Sequence, residues 1–179
     1  NALETFKELV TDIEQKLSKT DVLEKCKVFR IYRDVRFSKD KLPYKNNMAA
    51  YFERASKMRR GGYYIHIQPG GDTFVGGGFW QPEPDDLKRI RDEFVYDHQT
   101  ISKILEAPQF IKYFGGISTE DALKNPPRGY DKELPGIQLI KQKSFVASRK
   151  FTDKEVLSPT FGEEVVKTFE TLRPFFDYM

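Results

Sequence analysis

Cationic side chains with strand-like spacing form the first candidate site in this sequence. Residues 29–45 read FRIYRDVRFSKDKLPYK, a run of three arginines and three lysines among strand-forming residues. Arginine presents a planar fork of N–H donors that fits carboxylate and phosphate groups, and alternate side chains of a strand lie about 7 Å apart. The stretch therefore predicts an anion-binding site, with Arg30, Arg33, Arg36 and Lys45 as ligand-binding residues.

The same charges have a second interpretation, an internal network of ion pairs. Asp34 and Asp40 lie among the cations, and charge runs are most often solvated faces. Arg33 falls on the apolar side of the alternation, where a buried charge would need a partner. The two interpretations differ in whether the guanidinium groups meet in one open concavity or in closed pairs with acids.

Two side chains are candidates for proton transfer. Alternation along Tyr63–Gln68 places Tyr64, His66 and Gln68 on one face of a strand. Histidine titrates near pH 6.5, so His66 is a candidate general acid or base, with Asp34 as the second candidate and Tyr64 as a ligand contact. The alternative is a hydrogen-bonded sheet histidine, because no partner is evident in the sequence.

A proline-stiffened loop supplies one more cation. Residues 125–131 read NPPRGYD, and the two prolines hold Arg128 in a fixed direction. This geometry suits ligand contact, so Arg128 is a predicted ligand-binding residue. It suits equally well an ion pair that pins the loop to the body of the protein.

Other chemistries lack their residue patterns. Gly76-Gly77-Gly78 is followed neither by the Lys-Ser/Thr of a phosphate-binding loop nor by a dinucleotide fingerprint, so no cofactor is predicted. Two distant histidines and one cysteine give no zinc spacing, and no metal is predicted. The G-x-S-x-G elbow of a serine hydrolase is absent.

Hydrophobic periodicity predicts the elements that must position these residues. Pro69–Asp72 has strong turn chemistry, which makes a hairpin and favours an antiparallel sheet with helices packed on it, an α+β fold. The three glycines are expected to interrupt the returning strand, either as a bulge or through the close approach of another backbone or a ligand. Strands are predicted at 26–37, 46–54, 63–68, 73–75 and 144–151, and helices at 3–17, from Pro84, around 101–105, at 118–123, at 135–142 and from Ser158 to Pro174.

Bulk composition predicts one globular domain over residues 1–179. The chain is 39% hydrophobic and 14% aromatic, enough for a packed core, and its net charge of +3 is too mild to indicate nucleic acid by itself. The single cysteine allows no intramolecular disulfide. With no apolar run long enough to span a bilayer and no secretory signal, the sequence predicts a soluble cytoplasmic protein without a membrane partner.

Five groups of residues follow one another along the chain in a typical order: RIYRDVRFSKDKLPYKNN, GGYYIHIQPG, FVGGGFWQPEP with LKRIR, LKNPPRGYD and KSF. Through these segments the sequence resembles, from about Val28 to the C-terminus, the family DUF2461, a widespread domain of unknown function. The resemblance implies a shared fold and brings no established activity. Members usually carry an additional N-terminal segment with Asn and Trp-Phe signatures, so we expect that segment to be missing here.

These observations predict a basic, aromatic-lined cleft for a small anionic or phosphorylated ligand. The protein either binds that ligand or also acts on it; the residues do not decide between the two. The alternative function is a non-enzymatic interaction module for RNA or a protein partner, because basic residues interleaved with Tyr and Phe suit base stacking and phosphate contact.

Overall fold

A computed structural model describes the whole chain except residues 35, 37, 38, 40 and 56–60. Its five strands form one antiparallel sheet in the order β1-β2-β3-β4-β5, which confirms the predicted α+β class. None of the described helices combines the length and the apolar composition needed to cross a membrane. The elements are α1 (Ala2–Leu17), β1 (Leu23–Val28), β2 (Met48–Arg54), β3 (Gly62–Ile67), β4 (Thr73–Phe79), α2 (Pro84–Tyr96), α3 (His98–Leu105), α4 (Pro108–Phe114), α5 (Ile137–Ile140), β5 (Phe145–Phe151), α6 (Asp153–Val156) and α7 (Phe161–Tyr178).

One face of the sheet holds the core. Helix α1 turns its apolar stripe inward, and α7 packs its aromatic side chains on the central strands. Phe52 and Tyr63 both contact the ring of Phe169, with centroids 5.6 and 4.9 Å apart. Burial of these rings supplies the main stabilisation of the sheet on this side.

The opposite face, here called the open face, carries a second set of aromatic side chains. Strand register places Tyr51 beside Tyr64, and His66 beside Phe74. Phe29, just past β1, joins them, because its amide donates to the Ala49 carbonyl of β2. All five rings are half-buried, so this face presents a partly exposed aromatic surface.

The connection between β1 and β2, residues 29–47, is here called the arm. Within it, residues 31–33 and 43–45 pair as a short antiparallel ribbon through the bridge of Tyr32 with Tyr44. The predicted strand over 26–37 is therefore wrong: β1 ends at Val28, and the chain leaves the sheet to form the arm. Phe29 lies on the open face rather than in the core, while positions 35 and 37 lie outside the described residues.

Glycines 76–78 do not interrupt β4, but the predicted close approach of another backbone is confirmed. The strand pairs with β3 and β5 through all three positions. A Cβ added at Gly76 would collide with the Ala147 carbonyl oxygen, and one at Gly78 with that of Phe145. Glycine at these positions thus permits close backbone approach between neighbouring strands.

Three helix predictions also need correction. Pro174 does not end α7, because Phe175 and Phe176 beyond it are buried and hold the last turn in place. No helix forms at 118–123, where the Ser118 amide instead donates to the Val146 carbonyl of β5. The helix predicted over 135–142 spans only Ile137–Ile140. The short helix α4, which begins at Pro108, is an additional element that the sequence did not predict.

A buried polar cluster ties α7 to the sheet. Arg54 is 4% exposed and its Nε lies 2.7 Å from Asp21 Oδ2. Tyr63 donates its hydroxyl to the same oxygen over 2.6 Å, and Arg54 also binds Asp177 of α7. Burial alone would raise the pKa of Asp21, but the hydrogen bonds from Tyr63 and Arg54 outweigh it and lower that pKa.

Candidate functional site

The arm and the open face enclose a cleft of about 800 Å³. The arm supplies one wall, and β2 and β3 supply the floor. A volume of this size suits a small-molecule ligand. The described residues that line it are Phe29, Arg33, Asp34, Leu42, Tyr44, Lys45, Asn46, Asn47, Ala49, Tyr64 and His66.

Two cations of the cleft are fixed by the ribbon of the arm. The Arg33 amide donates to the Pro43 carbonyl over 2.9 Å, and the Lys45 amide donates to the Ile31 carbonyl over 2.7 Å. These bonds flank the bridge between the two strands of the ribbon, so both backbones are held in register. The ribbon thereby places a guanidinium and an ammonium group in the same concavity.

Asp34 is the one carboxylate among the described lining residues, and it is engaged by Arg36. Arg36 donates from Nε and Nη2 to the two carboxylate oxygens over 2.9 and 2.7 Å. This side-chain pairing, with a further bond from the Arg36 amide, lowers the pKa of Asp34. Asp34 is therefore a carboxylate at neutral pH, and it offsets the charge of Arg36 at the cleft.

The floor of the cleft is aromatic. Tyr64 contacts Phe29 edge-to-face, with ring centroids 6.1 Å apart. His66 stacks on Phe74 at 4.8 Å with an interplanar angle of 17°. Burial raises the pKa of the Tyr64 hydroxyl, which is therefore a protonated donor at neutral pH.

A hydrogen-bonded chain orients His66. Its Nε2 lies 3.2 Å from Gln68 Oε1, and Gln68 Nε2 donates to Asp72 over 3.1 Å. Because a carboxylate only accepts, Asp72 fixes which end of the Gln68 amide faces the imidazole. The Gln68 oxygen then requires a proton on His66 Nε2, which leaves Nδ1 as the acceptor of the neutral ring.

The structure gathers some of the predicted site residues and separates others. Arg33, Asp34, Lys45, Tyr64 and His66 all line the cleft. Arg30 and Arg36 lie on the arm with exposed side chains outside the lining, and Arg36 reaches the cleft only through Asp34. Arg128 lies elsewhere, in the turn whose Tyr130 hydroxyl donates to Asp92 of α2.

Sequence reasoning did not select several lining residues. Phe29 was predicted only as part of the strand over 26–37, and Asn46 and Asn47 only as the start of the strand over 46–54. Leu42 and Tyr44 were not selected. The sequence feature that could have identified Leu42, Tyr44, Asn46 and Asn47 is their position, because they belong to the same LPYKNN run as Lys45. Only the ribbon pairing of the arm shows that this run turns back against the open face.

Outside the cleft, the described residues offer a thiol, no metal-binding group and a second concavity. Burial raises the pKa of the Cys26 thiol to about 11, so it is protonated and a poor nucleophile at neutral pH. Within the described residues, no three His, Cys, Asp or Glu side chains come together in a group that could hold a metal ion. A second concavity of about 630 Å³ lies among α3, α4 and α7 and is lined by residues such as Ile104, Phe110 and Pro174.

Comparison with known proteins places the chain in one family. No curated protein and no solved structure matches it. The family model described as "Conserved hypothetical protein (DUF2461)" matches residues 1–178 and so spans the arm, the sheet and every helix. The chain therefore belongs to the DUF2461 family.

Proposed function

We propose that the protein binds a small anionic ligand, a phosphorylated compound, in the cleft between the arm and the open face. The observation that carries the proposal is the convergence of Arg33 and Lys45 on one aromatic-lined concavity. Among the described lining residues, Arg33 and Lys45 are the cations and Asp34 is the carboxylate. The local charge therefore favours an anion.

The two cations have different parts in this binding. Arg33 offers the planar fork that matches two phosphate oxygens, and Lys45 offers a compact charge on a flexible stem. The Lys45 ammonium makes no hydrogen bond or ion pair with any residue in the described part of the chain, so it is available to an incoming anion.

Any proton transfer on the bound ligand falls to His66. Its Nδ1 accepts in the neutral tautomer, and its ring is held by the Gln68–Asp72 chain and by Phe74. Asp34 serves a different purpose, since its lowered pKa keeps it ionised and suits it to hold Arg36 rather than to donate a proton.

Phosphate-dependent thermal stabilisation tests the proposal. Inorganic phosphate and a set of sugar phosphates are titrated into the protein, and the rise of the melting temperature is measured. Arg33→Gln and Lys45→Gln should each reduce this rise, and the double variant should abolish it. Arg89→Gln is the matched control, because Arg89 is exposed on α2 and pairs with Asp86 far along the chain from the arm.

The proposal fails if the double variant is stabilised as much as the wild type. Each variant is first shown to unfold cooperatively at its own melting temperature in the absence of anion, which separates loss of binding from loss of fold. If Arg89→Gln lowers the phosphate-dependent rise of the melting temperature as much as the cleft variants do, the rise depends only on overall charge. That result would also contradict a defined site.

Single-stranded nucleic acid is a second candidate, supported by one observation. The open face continues beyond the cleft through Phe74, and exposed lysines at 25, 27 and 150 point from the same face. Aromatic rings with flanking cations suit stacked bases and their phosphates. Binding of a short single strand that weakens steeply with salt would support this function, and no binding at low salt would exclude it.

A further inference from the structure

We infer that the ligand of the cleft is a mononucleotide, a phosphate ester that also carries a flat heteroaromatic ring. This inference rests on the proposed anion-binding function and adds the class of compound. It comes from three kinds of side chain that share the cleft: cations, aromatic rings and amides.

Aromatic side chains lie both on the floor of the cleft and on the wall that the arm supplies. Tyr64 belongs to the sheet floor, and Tyr44 belongs to the arm that faces it. Tyr44 is 55% exposed and Leu42 beside it is 66% exposed, although both line a concavity. A bare phosphate or a sugar phosphate would leave this apolar surface in water, whereas a flat ring packed against it would cover it.

Two side-chain amides of the cleft suit the edge of a nucleobase. Asn46 and Asn47 follow Lys45 directly on the arm, and Asn47 donates to Asn46 over 3.3 Å. A carboxamide offers a donor and an acceptor side by side, which is the pattern on the edge of a nucleobase. No described lining residue other than these two offers such a pair.

Size and charge favour one nucleotide over a polymer in the cleft itself. The concavity of about 800 Å³ lies in the range of small-molecule sites. Its two cations suit one phosphate group, while a strand of several nucleotides would need further cations spaced along a groove. The exposed lysines of the open face lie on β1 and β5 and do not line the cleft.

Calorimetric titration with matched probes tests the inference. The probes are inorganic phosphate, ribose 5-phosphate, adenosine and cytidine 5′-monophosphates, and the two nucleosides. We expect at least one mononucleotide to bind at least about fivefold more tightly than ribose 5-phosphate, the factor that one stacked base supplies. Tyr64→Leu should weaken mononucleotide binding more than ribose 5-phosphate binding and so remove most of that difference, while Arg33→Gln should weaken both.

Two further variants keep the test independent of folding. Tyr44→Leu changes an exposed ring of the arm and should also lower the preference for mononucleotide over ribose 5-phosphate. Tyr96→Leu is the control, because Tyr96 is 87% exposed on α2 and does not line the cleft.

The possible failures are distinct. If ribose 5-phosphate binds as tightly as the mononucleotides and Arg33→Gln abolishes both, the anion site stands and the nucleotide inference is overturned. If no phosphorylated probe binds, both are overturned. If affinity rises with the length of an oligonucleotide and mononucleotides do not bind, the single-strand function replaces the inference.

Discussion

The hydroxyl of Tyr63 and the carboxylate of Asp21 form a 2.6 Å hydrogen bond inside the core, next to the Arg54 guanidinium. This contact joins β3 to the segment after α1 and supports the strand whose other face carries Tyr64 and His66. Its members are almost fully buried, so each depends on the others for its hydrogen bonds. The rigidity of the cleft floor thus depends on polar residues beneath the sheet.

Tyr63→Phe should destabilise the fold by about 1–3 kcal/mol, because Asp21 loses a buried donor. Asp21→Asn should cost about 3–5 kcal/mol, since it leaves the Arg54 charge without its buried partner. Urea unfolding followed by circular dichroism measures both. Lys88→Gln, which removes an exposed i,i+4 pair with Asp92, should change stability by less than about 0.5 kcal/mol. Equal losses of stability in the buried and the exposed variants would contradict the stabilising role of the buried cluster.

Stability should also fall in acid through Asp21. Its pKa is lowered in the folded protein, so its contribution is complete above the unfolded-state pKa of about 3.9 and is lost as the pH drops through the lower folded-state value. In Tyr63→Phe the folded-state pKa of Asp21 moves back toward 3.9, and the loss of stability below about pH 5 should become shallower. Urea unfolding at a series of pH values measures how the free energy of unfolding depends on pH. If the wild type and Tyr63→Phe show parallel dependences, Asp21 does not cause the loss of stability in acid.

Asp34→Asn should increase the affinity of the cleft for phosphate compounds by a factor of about two to ten, the scale of screened surface charges. The change removes the negative charge from the lining and the two-oxygen acceptor of the Arg36 guanidinium. Arg36→Gln makes the reverse change and should reduce the affinity. Calorimetric titration of both variants with one sugar phosphate gives the comparison, and a decrease in Asp34→Asn would mean that Asp34 itself contacts the ligand.

His66 should be protonated on Nε2 in its neutral form. Long-range ¹H–¹⁵N correlation spectra distinguish the two imidazole tautomers, and His98, the second histidine of the chain, serves as an internal reference. Gln68→Leu removes the acceptor and should allow the Nδ1–H form to appear. A wild-type spectrum with the proton mainly on Nδ1 would show that the Gln68–Asp72 chain does not set the tautomer.

Gly76→Ala should destabilise the protein by more than about 2 kcal/mol, because the new methyl group collides with the backbone of β5. Gly71→Ala is the matched control: its φ of 81° is strained for alanine, but the space around it is open, so the expected cost is about 1 kcal/mol. Thermal unfolding of the two variants measures the difference. A Gly76→Ala protein as stable as the control would mean that β4 and β5 can move apart without penalty.

Local patterns predicted the sheet better than they predicted the cleft. Alternation in Tyr63–Gln68 correctly separated buried Tyr63 and Ile65 from Tyr64 and His66 on the other face. The same rule failed beyond Val28, because residues of the arm keep strand-like composition after they leave the sheet. Alternation cannot register that departure, since it depends on pairing with residues 43–45 further along the chain.

For the site residues too, residue type could be read from the sequence, whereas their meeting in space depends on long-range pairing. Arg33, Lys45 and His66 could be selected from residue type, but their meeting in one cleft depends on the bridge between Tyr32 and Tyr44. Arg128 had an equally suggestive context and lies elsewhere, because contacts with α2 position its loop. Pro174 shows the reverse case, in which burial of Phe175 and Phe176 overrides a strong local stop signal.

The arm leaves the sheet after β1 and returns at the adjacent strand β2, so its two ends are anchored by a pairing that does not involve the arm's interior. Most of the described residues that line the cleft thus belong to one segment inserted between two strands that pair directly with each other. Under the proposed function, substitutions there would alter which compound is captured while the sheet keeps its pairing, and homologues that exchange this one segment would inherit a new specificity together with an unchanged framework.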